Sequence, residues 1–334
     1  MSSDVAGHWR TRSQSGIRQQ FEGRAMRTPT TMKTHCSRRY SCGPAVCLRA
    51  GMSRKPIRVH NASISIRRPL HGFTLIELLV VIAIIALLMA ILMPALRRTK
   101  AQAQTVVCRS HLQQWSLCFS MYIADYDSKF MPGIDENWST GEYSWIYTLI
   151  PYYNEPAIRL CPRAKRTVEQ GGRLPYTAWD VSRTNPNDFS YLVEPEYKIG
   201  SYGINWWVND CDRVVGAHNA DNKWRTANQK TPSRIPVLMD SGFMLARPEP
   251  HDPPPQQDGE FLWAFGGGMR RLCTDRHNGN INMLFMDWSS QKVGLKQIWM
   301  FKWHRTFNTA NPWTSAGGVI PEDWPEWMHK FKDY

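Results

Sequence analysis

The sequence predicts an α+β protein: one long N-terminal helix, transmembrane in its first half, packed on a small, loop-rich antiparallel β-sheet head. Three observations predict it. From Phe73 to Met93 the chain reads FTLIELLVVIAIIALLMAILM, with Glu77 as its only charge. Beyond Pro94, Leu112, Trp115, Phe119 and Tyr122 recur three or four apart, one apolar stripe on a helix that is polar elsewhere. Between residues 134 and 270 turn formers are dense and apolar runs short, the pattern of strands joined by loops.

The apolar segment is of membrane length. At a helical rise of roughly 1.5 Å per residue, Phe73 to Met93 covers about 30 Å, the hydrocarbon thickness of a bilayer. A helix in a soluble core would carry a polar stripe, and this one has none. A secretory signal peptide would be cut after its apolar run, whereas the signal here precedes it. Glu77 is the anomaly, since a carboxylate inside hydrocarbon is costly. Near the interface it stays wet and lies at the positive end of the helix dipole. Deeper in, it needs a cationic partner, which a cut between Gly72 and Phe73 would create as a new α-amino group.

Gly72-Phe73-Thr74-Leu75-Ile76-Glu77 resembles the prepilin signal of type IV pilins and type II secretion pseudopilins. The resemblance implies a membrane peptidase that cuts after Gly72 and N-methylation of Phe73. It also implies that Glu77 meets the amine of an adjacent subunit's Phe73 during assembly, and that Pro94 kinks the helix. The fold it implies is a pilin-like lollipop. The partners are prepilin peptidase, other pilin or pseudopilin subunits and inner-membrane lipid. The location is the bacterial inner membrane, single pass, with the leader cytoplasmic and the head periplasmic or carried on a surface filament.

The net charge of +13 suggests nucleic-acid binding until it is divided at Gly72. Residues 1–72 hold 14 Lys/Arg against Asp4 and Glu22, a net +12, and residues 73–334 hold 27 against 26, a net +1. The basic excess therefore belongs to a leader of cytoplasmic character, and the mature chain is not expected to bind nucleic acid. Residues 1–51 have no apolar periodicity, whereas Met52 opens a basic leader, MSRKPIRVHNASISIRRPLHG. Met52 is thus the expected start, with 1–51 disordered or a mis-called extension.

After Pro94 the helix is expected to continue, leaving the membrane at Arg97, Arg98 and Lys100 and ending near Asp125–Lys129. The expected domains are a transmembrane half at 73–94, an amphipathic half at 95–130 and a β-rich head at 131–334. Ile235 to Asp240 reads as a strand. Arg276-His277-Asn278-Gly279 reads as a turn whose Asn-Gly pair favours positive φ. Asn280 to Asp287 and Gln291 to Gly294 then form a hairpin about Trp288-Ser289-Ser290.

Several stretches resemble one branch of the pilin-like proteins. They are Cys108-x-x-x-Leu112-x-Gln114, Tyr122-x-x-Asp125-Tyr126, Cys161-Pro162 and Ser201-Tyr202-Gly203-x-Asn205. His277 and Asp287 resemble the His-x9-Asp-Gly motif of that branch, whose role is unknown. Trp288 stands where the motif has glycine, so a different turn is expected.

Chemistry in the head looks sparse. His277, Asp240 and Asp287 are candidates for metal ligands or an acid–base group. The preferred reading is that His277 caps a turn and the aspartates bind loop backbone. The mature chain has five cysteines (108, 118, 161, 211 and 273). Cys211–Cys273 is a candidate bridge, and the absence of a C-x-x-C pair argues against zinc. Asp125 and Asp127 are similar in place to the calcium loops of some pseudopilins, but Asp125-Tyr126-Asp127-Ser128 supplies too few oxygens for calcium alone. No cofactor is expected and no enzymatic motif is present. Six of fifteen tryptophans fall in residues 288–334; packing is the default for these, with stacking on sugar rings the alternative.

The expected function is a structural subunit, of minor type, in a type IV pilus or type II secretion pseudopilus. The competing reading is a membrane-anchored glycan- or protein-binding surface protein exported by the pilin route.

Overall fold

The computed structural model describes residues 74–132, 145–180, 199–210, 220–260 and 268–334. The expected cleavage site Gly72–Phe73, the leader and Cys211 lie outside the described residues.

Helix α1, Leu75–Asp125, is a single helix of 51 residues. Its N-terminus is a capping box read directly from Thr74-x-x-Glu77. The Thr74 hydroxyl accepts from the Glu77 N–H at 3.3 Å. The Glu77 carboxylate accepts from the Thr74 N–H at 2.9 Å and from its hydroxyl at 2.7 Å. The helix runs unbroken through Pro94, whose ring nitrogen has no hydrogen to give the carbonyl four residues back. It ends at Asp125 with Tyr126 as its C-cap.

The apolar first half of α1 is membrane-length, and none of its residues is buried among the described residues. The second half buries Cys108, Leu112, Trp115, Phe119 and Tyr122 on one face, at spacings of three and four that bring them into line. That face lies on the sheet and on the turn Pro156–Arg159. The Trp115 indole N–H donates to the Ile158 carbonyl at 3.0 Å, and its ring meets Trp145 and Tyr153 edge to face.

The head contains a five-stranded sheet in the order β5-β3-β4-β6-β7. Its strands are β3 (Tyr202–Asn205), β4 (Pro236–Asp240), β5 (Leu245–Ala246), β6 (Asn280–Phe285) and β7 (Ser290–Gly294). A separate two-residue pair, β1 (Trp179–Asp180) and β2 (Ile199–Gly200), sits apart from it in the pairing. All pairs in the large sheet are antiparallel except β3–β5, so the expected antiparallel sheet is mixed at one edge. A two-residue edge strand is too short to be read from periodicity, which explains why the sequence missed it.

The β6–β7 hairpin is the most regular part. Asn278 and Gly279 before it take φ of 55° and 75°, as an Asn-Gly pair does readily. Trp288 takes φ 65°, the left-handed region that glycine occupies without steric cost. Its ring lies parallel to buried Phe119, centroids 6.1 Å apart, so packing against α1 holds an otherwise unfavourable backbone.

The tryptophan-rich tail is core. Trp299, Trp303 and Trp324 are buried. The rings of Trp299, Trp313 and Trp324 cross one another at 46–69°, so they form no coplanar exposed platform for a sugar ring. Cys273 is a free buried thiol, which removes the candidate bridge to Cys211.

Candidate functional site

Two features carry chemistry, and they lie at different places along α1. The first is the N-terminal turn. Glu77 is exposed and its carboxylate is engaged by its own helix cap, so within one chain it needs no other partner. It stands among exposed Leu75, Ile76, Leu78 and Leu79.

The second feature is a buried cluster of four side chains from four separate segments: Cys108 on α1, Cys161 after the Pro156–Arg159 turn, Asp240 at the end of β4 and His277 in the turn before β6. Their donor atoms all lie within 4.8 Å of one another. Cys108 Sγ is 3.5 Å from Asp240 Oδ1, Cys161 Sγ is 3.4 Å from His277 Nε2, and His277 Nε2 is 3.2 Å from Asp240 Oδ2.

Local structure explains each position. Cys108 sits one turn before Leu112 on the buried stripe of α1. Asp240 pairs with Tyr202 across β3–β4, so both side chains emerge on one face, and both touch Cys108. The Tyr202 hydroxyl donates to Cys108 Sγ at 3.2 Å. The Asn282 N–H donates to Asp240 Oδ2 at 2.8 Å, and the Ser201 hydroxyl accepts from the Cys161 N–H. On the far side of the imidazole, His277 Nδ1 lies 3.0 Å from Thr105 Oγ1, whose own hydrogen goes to the Ala101 carbonyl at 3.0 Å. Thr105 is therefore an acceptor, Nδ1 carries the proton, and Nε2 faces the cluster.

The groups tune one another. Burial opposes charge on His277, but the Asp240 carboxylate outweighs it and pushes the imidazole up to about 9. Burial likewise opposes the Asp240 carboxylate, but His277, with Arg276 and the Asn282 N–H, holds Asp240 below its ordinary value. Burial pushes the Cys108 thiol well up. It acts the same way on Cys161, but hydrogen bonds from Cys108 and His277 reverse it and lower that thiol.

The sequence grouped His277 and Asp240 with Asp287, and the structure keeps only the first two together. Asp287 is exposed and accepts from the Ser289 N–H and hydroxyl at 3.0 and 2.7 Å, the backbone role the sequence favoured. His277 and Asp287 flank six-residue β6, and a strand at about 3.3 Å per residue holds them roughly 20 Å apart. His277 is no turn cap: it is buried in the cluster. Both cysteines were missed as ligands because the spacing rule looks for neighbours in sequence. The signal that could have found them was the set of branch-like motifs, since Cys108, Cys161, Ser201-Tyr202 and His277 each come from one of them. Asp125 accepts from the Tyr152 hydroxyl at 2.9 Å. Asp127 is exposed at φ 51°. Among the described residues these two join no third acidic, His or Cys donor.

Residues 67–93 match the family model described as the prokaryotic N-terminal methylation motif. No curated protein and no solved structure matches the chain. Together with a long apolar N-terminal helix leading into a small mixed sheet, that match supports a type IV pilin-like protein.

Proposed function

We propose that this type IV pilin-like protein is a structural subunit, of minor type, of a type IV pilus or type II secretion pseudopilus. Prepilin peptidase cuts it between Gly72 and Phe73 and Phe73 is N-methylated. The basic leader stays on the cytoplasmic side and the head on the periplasmic side of the inner membrane, as the charge asymmetry favours. The observation that carries this reading is the methylation motif at 67–93 joined to an apolar half-helix that is unburied among the described residues. Such a surface is satisfied by lipid before assembly and by the same half of neighbouring subunits after it. Cutting at Gly72 places a free amine one residue before the Thr74 cap, within reach of a neighbour's Glu77.

Glu77 has two candidate roles, capping its own helix and pairing with a neighbour's amine, and one substitution separates them. Glu77→Gln keeps a side-chain oxygen for the capping box but removes the charge. The expected result is normal cleavage with loss of the subunit from sheared filaments, the same as for Glu77→Ala. Wild-type incorporation of Glu77→Gln would overturn the pairing role.

A further inference from the structure

We propose that Cys108, Cys161, Asp240 and His277 form a tetrahedral site for a zinc-class divalent metal that clips helix α1 to the head.

Four observations converge on it. The first is donor chemistry: two sulfurs, one imidazole nitrogen and one carboxylate are a soft-to-borderline set, which suits zinc rather than calcium or magnesium. The second is geometry. Zn–S near 2.3 Å and Zn–N or Zn–O near 2.1 Å give tetrahedral edges of about 3.3–3.8 Å. With Asp240 Oδ2 as the carboxylate ligand, three of the six edges are 3.7, 3.4 and 3.2 Å and the others stay within 4.8 Å, so the donors stand near where ligands would.

The third is the outer shell. Metal-bound histidines give their other ring N–H to an acceptor that sets tautomer and orientation, and Thr105 does this for His277. The Asn282 N–H does the equivalent for Asp240, and the Tyr202 hydroxyl for Cys108. The fourth is charge. Two thiolates and one carboxylate around a divalent ion leave one negative charge in a buried place. Arg276 is fully buried, and its guanidinium donates to the carbonyls of Pro175, Ser201 and Thr177. It lies close enough to Asp240 to favour the carboxylate, and its charge brings the region to neutrality.

A disulfide is the rival fate of two thiols on the oxidising side of a membrane. It would use two of the four groups and leave the buried Asp240–His277 pair outside the bond. A metal uses all four. Binding releases to solvent the protons held on the thiols and on His277 Nε2. Because the ligands come from α1, a loop, β4 and the turn before β6, the ion joins the stem helix to three parts of the head at once.

The test uses the full-length chain purified in detergent. The metal-free protein is titrated with Co2+ and then with Zn2+. The expected spectrum is that of tetrahedral cobalt with a thiolate-to-cobalt charge-transfer band, saturating at one equivalent and displaced by zinc. Cys161→Ser loses the charge-transfer intensity contributed by that sulfur, while Cys118→Ser, a buried free thiol outside the cluster, leaves the spectrum unchanged. Thr105→Val, which touches no metal, weakens zinc binding about 10- to 100-fold in competition with a chelating dye. A native protein whose Cys108 and Cys161 resist alkylation until reduced, with no cobalt spectrum after reduction, overturns the proposal. So does a spectrum that Cys161→Ser leaves intact. The wild-type spectrum decides the matter even where a variant fails to fold.

Discussion

Leu87 and Leu112 stand on one unbroken helix about seven turns apart, yet Leu87 leaves 63% of its surface exposed and Leu112 none. The backbone is the same and the surroundings are opposite. Around Leu112 the helix meets a sheet, a turn and a four-residue cluster from its own chain. Around Leu87 it is buried by nothing among the described residues. Long helices are stabilised mainly by what their faces pack against, and under the proposed function the first half takes its partner from lipid and then from other subunits. One element thus serves two solvents, and the border between them lies just before Cys108, where the proposed metal ties the helix down.

The sharpest way to break this comparison is to truncate a large side chain on each half. Trp115→Ala removes a fully buried ring with two edge-to-face partners and an indole bond to Ile158. It should cost the head about 3–5 kcal/mol in urea unfolding of the full-length chain in detergent. Leu87→Ala should shift the same transition by less than about 0.5 kcal/mol. Equal losses would show that the halves are not independent.

A smaller effect comes from within the head. Asn205 donates to the carbonyls of Pro236 and Trp303 at 2.9 and 2.8 Å and accepts from the Trp207 N–H at 3.1 Å. Asn205→Ala leaves buried groups without their bond and should cost about 2–3 kcal/mol in the same assay, while membrane insertion stays normal. The smallest belongs to the exposed end of α1. Thr74→Ala removes a cap contribution of about 1 kcal/mol, so the first-turn amides should exchange hydrogen roughly five times faster. Exchange of the amides of residues 108–122 should not change.

What the sequence revealed follows the range of the interactions involved. The Leu112 stripe, the end of α1 at Asp125 and the β6–β7 hairpin were legible because each is set by neighbours within a few residues. Trp288 shows the limit. Its φ of 65° depends on Phe119, far away in sequence, and only the fold supplies that ring. The parallel β3–β5 edge and the cluster were hidden for the same reason. Cys108 and Asp240 are 132 positions apart and Cys161 and His277 are 116 apart, and no local pattern encodes such pairings. His277 and Asp240 drew notice as titratable residues, but their true companions were two cysteines that looked like ordinary core.

The central proposal is that the chain is cut between Gly72 and Phe73, leaving the helix as the stem of the mature subunit. N-terminal mass spectrometry of the protein from its native membrane tests it directly. The account predicts a mature chain beginning with N-methylated Phe73, whereas a chain still carrying its leader, or cut at any other bond, would contradict it.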